Sequence, residues 1–255
     1  MTADAAGGGP AAAQGPLSFT AMAREAWRLY RLRPLAVTAL FALLYIAVAL
    51  LALIALRSDA LSRGAEIAVG LTFQFGVPVA GSLLTAVAVV VMHDAAVGES
   101  GGLGAALRAV RPQWAELLGA ALLAAILALV LYIPPLSLIS VYIGTSGSSA
   151  VLFGPPIVVH AVVLERRTLA QAWARTRALM SGNWGRILLY WLTGALIVTV
   201  IGGLLTVPAQ VIGSAALLIV NGIVLGVLIP YVVAFVYASY LDVRSQTDAP
   251  RADDA

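Results

Sequence analysis

Between Leu35 and Leu56 the chain runs for 22 residues without a charged side chain. Ile67–Met92 and Ala215–Leu241 do the same, and Ala115–Ile133 and Trp184–Thr206 carry one charge each. About 20 consecutive apolar residues in a helix cover the roughly 30 Å hydrocarbon core of a bilayer. Inside that core every backbone N–H and C=O must be bonded within the protein, so runs of this kind become helices. Composition agrees: 61% of the 255 residues are hydrophobic and 11% charged, whereas a soluble domain carries about 25% charged residues. The expected fold class is therefore all-α, a polytopic membrane protein.

Six spans are expected. The five runs above give spans one, two, three, five and six; span three stops at Pro134-Pro135. Span four ends at Leu164, but its start is obscured by the Ser- and Gly-rich stretch Leu136–Ser149 and by Pro155-Pro156, which breaks or kinks a helix. Residues 1–16 are low-complexity Ala, Gly and Pro and are expected to be a disordered tail, with a second tail at 245–255 and the six-helix domain between them at 17–244. The first apolar run is too long and too far from the N-terminus for a secretory signal, and reads as a retained span.

Every one of the 15 basic residues is arginine, and 13 fall in connections on one side of this arrangement. Only Arg57 and Arg63 fall on the other. The positive-inside rule then places both termini in the cytosol of a cell-membrane protein. All five tryptophans, Trp27, Trp114, Trp173, Trp184 and Trp191, sit at or near the arginine-rich side, as interfacial anchors do.

The segment Glu165–Arg186 is an island of arginine and tryptophan between apolar runs. On a helical wheel Leu169, Ala172, Trp173, Thr176, Leu179 and Met180 share a face, with Arg167, Gln171, Arg175 and Ala178 opposite. This is the pattern of a helix lying at a membrane surface. Phe19–Arg31 before span one and Leu103–Arg111 before span three show similar faces. Three copies of a surface helix followed by a transmembrane hairpin would account for the chain, a threefold internal repeat.

Intramembrane polar residues are functional suspects by default, and they are few. Gln74 and Asn221 suit interhelical hydrogen bonds, and Gly222 and Gly226 have the spacing of a helix-packing pair beside Asn221. His160 reads as an interfacial residue, His93-Asp94 as a solvated turn, and Glu116 as a charge favouring the start of its own helix. The run Gly98–Gly104 reads as a flexible entry to the second surface helix. No HExxH, Gly-x-Ser-x-Gly or Gly-x-x-x-x-Gly-Lys motif is present, and there is no cysteine. With two histidines in all, no metal or other cofactor is expected. No basic face on a soluble domain suggests nucleic-acid binding.

Two short motifs carry a family resemblance. One is Glu165, then Ala172-Trp173-Ala174-Arg175-Thr176, Leu179, Gly182-Asn183-Trp184 and Arg186. The other is Tyr240, Asp242 and Arg244, and the opening Leu17-Ser18-Phe19 through Pro34 is similar as well. Together they resemble the bacterial membrane-domain family named after glycerophosphoryl diester phosphodiesterase. The chain departs from that pattern at Arg166, where Gly is usual, at Thr176 for Ser, and at Gln246 for a second C-terminal Arg. The resemblance implies the six-helix membrane module alone, without the hydrolase barrel of fused members.

The expected function is a non-enzymatic membrane module that binds lipid or a membrane-protein partner. Arg167, Arg175, Arg177 and Arg186 are the expected contacts to anionic headgroups, with Glu165, Asp242 and Arg244 as further candidates. The alternative from another class is the six-span permease subunit of an ATP-driven exporter, which size and span count also fit. An intramembrane enzyme is the third reading and would have to use His93 or His160.

Overall fold

The computed structural model of the chain describes residues 17–57, 64, 72, 76–131, 156–180, 183, 189, 193, 196, 200–205 and 213–248. Among the described residues the structure is helical, with no strand. In chain order the helices are α1 (Phe19–Leu32), α2 (Pro34–Arg57), α3 (Val77–Ala96), α4 (Leu103–Val110), α5 (Trp114–Leu131), α6 (Pro156–Glu165), α7 (Leu169–Met180) and α8 (Ser214–Thr247). A 3₁₀ turn, Arg111–Gln113, joins α4 to α5.

Among the described residues, three segments are long and apolar enough to cross a membrane: Pro34–Ile54, Val79–Ala96 and Ala216–Thr247. These correspond to expected spans one, two and six. The start of expected span four, most of span five and Gln74 lie outside the described residues. On α2, Val37, Phe41, Tyr45 and Ala49 are buried at every fourth position and face the protein. The other side of the same helix exposes Leu35 (85%), Leu43 (71%) and Ile54 (66%). A contiguous leucine face left open in this way is stable against acyl chains and not against water.

Helix α8 is the spine. Its 34 residues extend about 51 Å at 1.5 Å per residue, well beyond the roughly 30 Å of a hydrocarbon core. Its two halves meet different partners. In the N-terminal half, Gly222 and Gly226 let α2 approach until a Cβ on Gly226 would stand 2.7 Å from the Ala42 Cα, and one on Gly222 3.0 Å from the Tyr45 carbonyl oxygen. The spacing read from the sequence is thus a packing site. In the C-terminal half α1 lies alongside: Phe19 meets Phe235 at 5.7 Å between ring centroids, and the Tyr231 hydroxyl donates to the Ala23 carbonyl. Pro230 sits between the halves. It has no N–H to give to the Gly226 carbonyl, so one rung of the helical ladder is missing there.

Helices α3 and α6 form the interior. Every residue from Thr85 to Met92 and from Ile157 to Val163 is buried, as expected for helices apolar on all sides. Pro156 is the first residue of α6, the position where a missing N–H costs nothing. Helix α3 stops at Gly98, which takes φ of 82° and sends its N–H to Ala95 while Glu99 N–H reaches Asp94. That is a Schellman stop, so this glycine ends a helix and is more than the flexible entry the sequence suggested.

The amphipathic helices form where expected, but the inner part of each apolar face meets protein, with Leu103 and Leu107 of α4 left exposed. Met22, Ala26 and Leu29 of α1, Ala106 and Val110 of α4, and Ala172 and Leu179 of α7 are all essentially inaccessible. Periodicity gives the width of an apolar face and says nothing of what covers it. Here neighbouring helices do: α8 covers α1, α3 covers α4, and α6 covers α7.

Candidate functional site

The C-terminal ends of α3, α6 and α8 and the N-terminal ends of α1, α2 and α5 lie together. His93 near the end of α3 and Glu165 at the end of α6 both contact the last third of α8. The antiparallel packing of α2 on α8 brings Pro34 to the same side. Apart from Arg57, the described arginines belong to this end.

Glu165 is its centre. The Tyr240 hydroxyl donates to Oε1, Arg167 Nε donates to Oε2 at 2.6 Å, and Arg175 Nε approaches at 3.3 Å. Arg244 Nε lies 3.7 Å away. Burial would raise the Glu165 pKa, since only 7% of the side chain is exposed. The hydrogen bonds from Tyr240 and Arg167 and the charge of Arg175 outweigh burial and hold the carboxyl below its ordinary range. Glu165 is therefore a fixed anion that organises three guanidiniums.

Arg175 is shared. Its Nη2 donates to both carboxylate oxygens of Asp248, at 2.7 and 2.6 Å, while its Nε faces Glu165. The bonds to Asp248, opposed by burial, push the Arg175 pKa up. The sequence placed Arg175 on the outward face of its helix; in the structure only 14% of its side chain is exposed and it turns inward. Asp248 falls in the stretch 245–255 read as a tail, yet α8 continues through Thr247 and Asp248 closes it, with its N–H bonded to the Arg244 carbonyl.

Behind this cluster stands an aromatic layer. The His160 ring lies between Tyr237 and Tyr240, with centroids 5.9 and 5.3 Å away and interplanar angles of 15° and 28°. His160 is completely buried, which corrects the interfacial reading. Tyr237 hydroxyl pairs with His93 Nδ1 at 2.8 Å, so His93 is tied to α8 and is more than part of a solvated turn. Asp242 accepts from the Leu17 N–H at 3.2 Å and from Gln246 Nε2 at 3.0 Å, which fastens the start of α1 to α8. Gln246 thereby holds Asp242.

Helix α7 is placed by its N-terminus. Thr168 and Gln171 bond each other's backbone N–H reciprocally, a capping box. Glu116 of α5 accepts from the Leu169 N–H at 2.6 Å. Glu116 thus caps α7 from 53 residues away, a role beyond the one expected for it in its own helix. Below this bond Gly119 admits the Leu169 side chain, and an open cleft of about 700 Å³ is lined by Glu116, Leu123, Thr168, Leu169, Ala170 and Trp173.

Of the residues singled out in the sequence, Glu165, Arg167, Arg175 and Arg244 converge. Asp242 lies nearby on α8 and serves α1, Arg177 is exposed on the far side of α7, and Arg186 lies outside the described residues. Tyr240 was visible as a motif residue; Asp248 and Glu116 were missed as partners. Among the described residues no group of three His, Cys, Asp or Glu side chains is arranged to hold a metal ion. No protein-family model, curated protein or solved structure matches this chain.

Proposed function

We propose that the protein is a non-enzymatic, multi-pass module of the cell membrane, cytosolic at both termini, that binds anionic lipid headgroups at its arginine-rich end. The observation that carries this reading is the segregation of charge. Arg31, Arg33, Arg108, Arg111, Arg166 and Arg177 are exposed at the same end of a bundle whose flank is bare leucine. Exposed guanidiniums beside an apolar belt suit phosphate oxygens at headgroup level. The cleft under Glu116 and Trp173 adds an apolar wall there. Arg167 and the Nε edge of Arg175 are engaged by Glu165, so most of the headgroup contacts fall to the outer arginines.

Membership of the phosphodiesterase membrane-domain family is part of the proposal. Its two motifs, 70-odd residues apart, supply Glu165, Tyr240 and Arg244 to one cluster. Arg166 has φ of 51°, the single non-glycine residue with positive φ among those described, where the family carries Gly. The threefold repeat is supported by α1 leading into α2 and α4 into α5 through short joints.

The test is native mass spectrometry of the full chain with phosphatidylglycerol. Changing Arg108, Arg111, Arg166 and Arg177 together to Gln should lower lipid retention several-fold. Unchanged retention with unchanged thermal stability would overturn the reading.

A further inference from the structure

Two kinds of carboxylate hold the arginines of the charged cluster. Glu165 is buried and bonded by Tyr240 and Arg167 as well as approached by Arg175. Asp248 is 46% exposed and touches only the outer edge of the cluster, where Arg175 Nη2 grips both its oxygens and Arg244 Nε stands 3.5 Å from one of them. The position of Asp248 at the helix end is maintained by its backbone N–H, which bonds Arg244 without help from the side chain. Three guanidiniums, of Arg167, Arg175 and Arg244, face these two carboxylates, so without Asp248 two positive charges would be left over.

We propose that Arg175 and Arg244 form a binding site for a phosphate-bearing anion and that Asp248 occupies this site from within the chain. The inference rests on the proposed headgroup binding for one of its two ligand sources, a lipid phosphate; the other is free phosphate. Guanidinium N–H groups bond carboxylate and phosphate oxygens alike, and Arg175 Nη2 is the donor that meets both Asp248 oxygens here. Free phosphate has a third oxygen to offer Arg244, and the two anionic oxygens of a lipid phosphodiester can divide between Arg175 and Arg244, which Asp248 meets only at 3.5 Å. Arg175 is preset for the exchange, because Glu165 fixes its Nε edge from behind and leaves Nη2 facing outward. Exposed ion pairs are weak and exchange readily, whereas the Glu165 bonds remain in either state. The site is thus assembled in advance and closed by a removable side chain.

The experiment compares the full-length wild type with Asp248→Asn, Asp248→Ser and Asp248→Glu, and with Asp248→Asn combined with Arg244→Gln. One arm measures phosphatidylglycerol retention by native mass spectrometry. The other measures the thermal shift given by inorganic phosphate against chloride at matched ionic strength. Removing the internal occupant raises apparent affinity by the inverse of the open fraction, about two- to fivefold for a surface pair. Asp248→Asn and Asp248→Ser should both show this gain, Asp248→Glu should not, and Arg244→Gln should cancel it. A gain in the lipid arm alone assigns the site to headgroups, and a gain in the phosphate arm alone assigns it to a soluble phosphate. No gain in either arm, or a gain that survives Arg244→Gln, overturns the proposal. Failure of the outer-arginine variants to lose lipid would remove the headgroup function while a phosphate-arm gain left this site standing.

Discussion

The two halves of α8 solve the same problem, holding a neighbouring helix, by opposite means. From Ser214 to Ile229 the helix is joined to α2 by shape: two glycines, backbone against backbone, and apolar neighbours. From Tyr231 to Asp248 it is joined to α1, α3, α6 and α7 by directed bonds to or from Tyr231, Tyr237, Tyr240, Asp242 and Asp248. Within a bilayer, close packing is the main force available between helices. At the rim, water and headgroups compete for every polar group, so bonds must be specified residue by residue. The lower half should therefore tolerate no added volume and the upper half no lost partner.

The largest effect should come from Gly226→Leu. Its Cβ alone would overlap the Ala42 backbone, which cannot move without displacing α2. Overpacking of this kind costs about 3 kcal/mol or more, and the variant should fail to give a monodisperse peak on size exclusion in detergent. A normal elution profile and melting temperature would show that α2 and α8 are not held by this contact.

Glu165→Gln tests the upper half. It leaves Arg167, Arg175 and Tyr240 facing a neutral amide, with an expected loss of about 2–3 kcal/mol, the range for a hydrogen-bonded charge. The same loss should be reached in the wild type by acid. The folded-state pKa of Glu165 is depressed, so its stabilisation is complete above the unfolded value of about 4.3 and disappears as pH falls through the folded value. The melting temperatures of wild type and Glu165→Gln should thus differ at neutral pH and converge below about pH 4. Parallel curves throughout would mean that the carboxylate does not hold the cluster.

The smallest effect has the opposite sign. Arg166 sits in left-handed backbone, which costs an L-residue roughly 1 kcal/mol. Arg166→Gly should raise thermal stability by up to that amount, offset in part by the freedom glycine gains in the unfolded chain. A fall in stability would indicate that the Arg166 side chain contributes more than its backbone costs.

Much of the lower half could be read directly. The runs that become α2 and α8 announce themselves by length, and the Gly222–Gly226 spacing by period, because packing in lipid depends on local shape. The apolar face of α7 was also legible: Ala172, Thr176 and Leu179 are buried as the wheel predicts. The upper half was legible in its residues and not in its pairings. Arg175 counts as an outward residue by periodicity, yet Glu165 stands ten positions before it and Asp248 73 after. Nothing local distinguishes an arginine facing water from one facing a carboxylate on another helix. His160 lies in an apolar run whose burial is set by tyrosines 77 and 80 residues later. Amphipathicity likewise could not tell lipid from protein as the cover for α1, α4 and α7.

Pro230 gives the contrast a mechanical side. With one rung absent between the two halves, α8 is two rods with a compliant coupling rather than one stiff beam. Torque applied where Asp248 meets Arg175 reaches the glycine contact attenuated, so ligand exchange at the rim need not loosen the packing below. The rim can change partners while the membrane half keeps its fit.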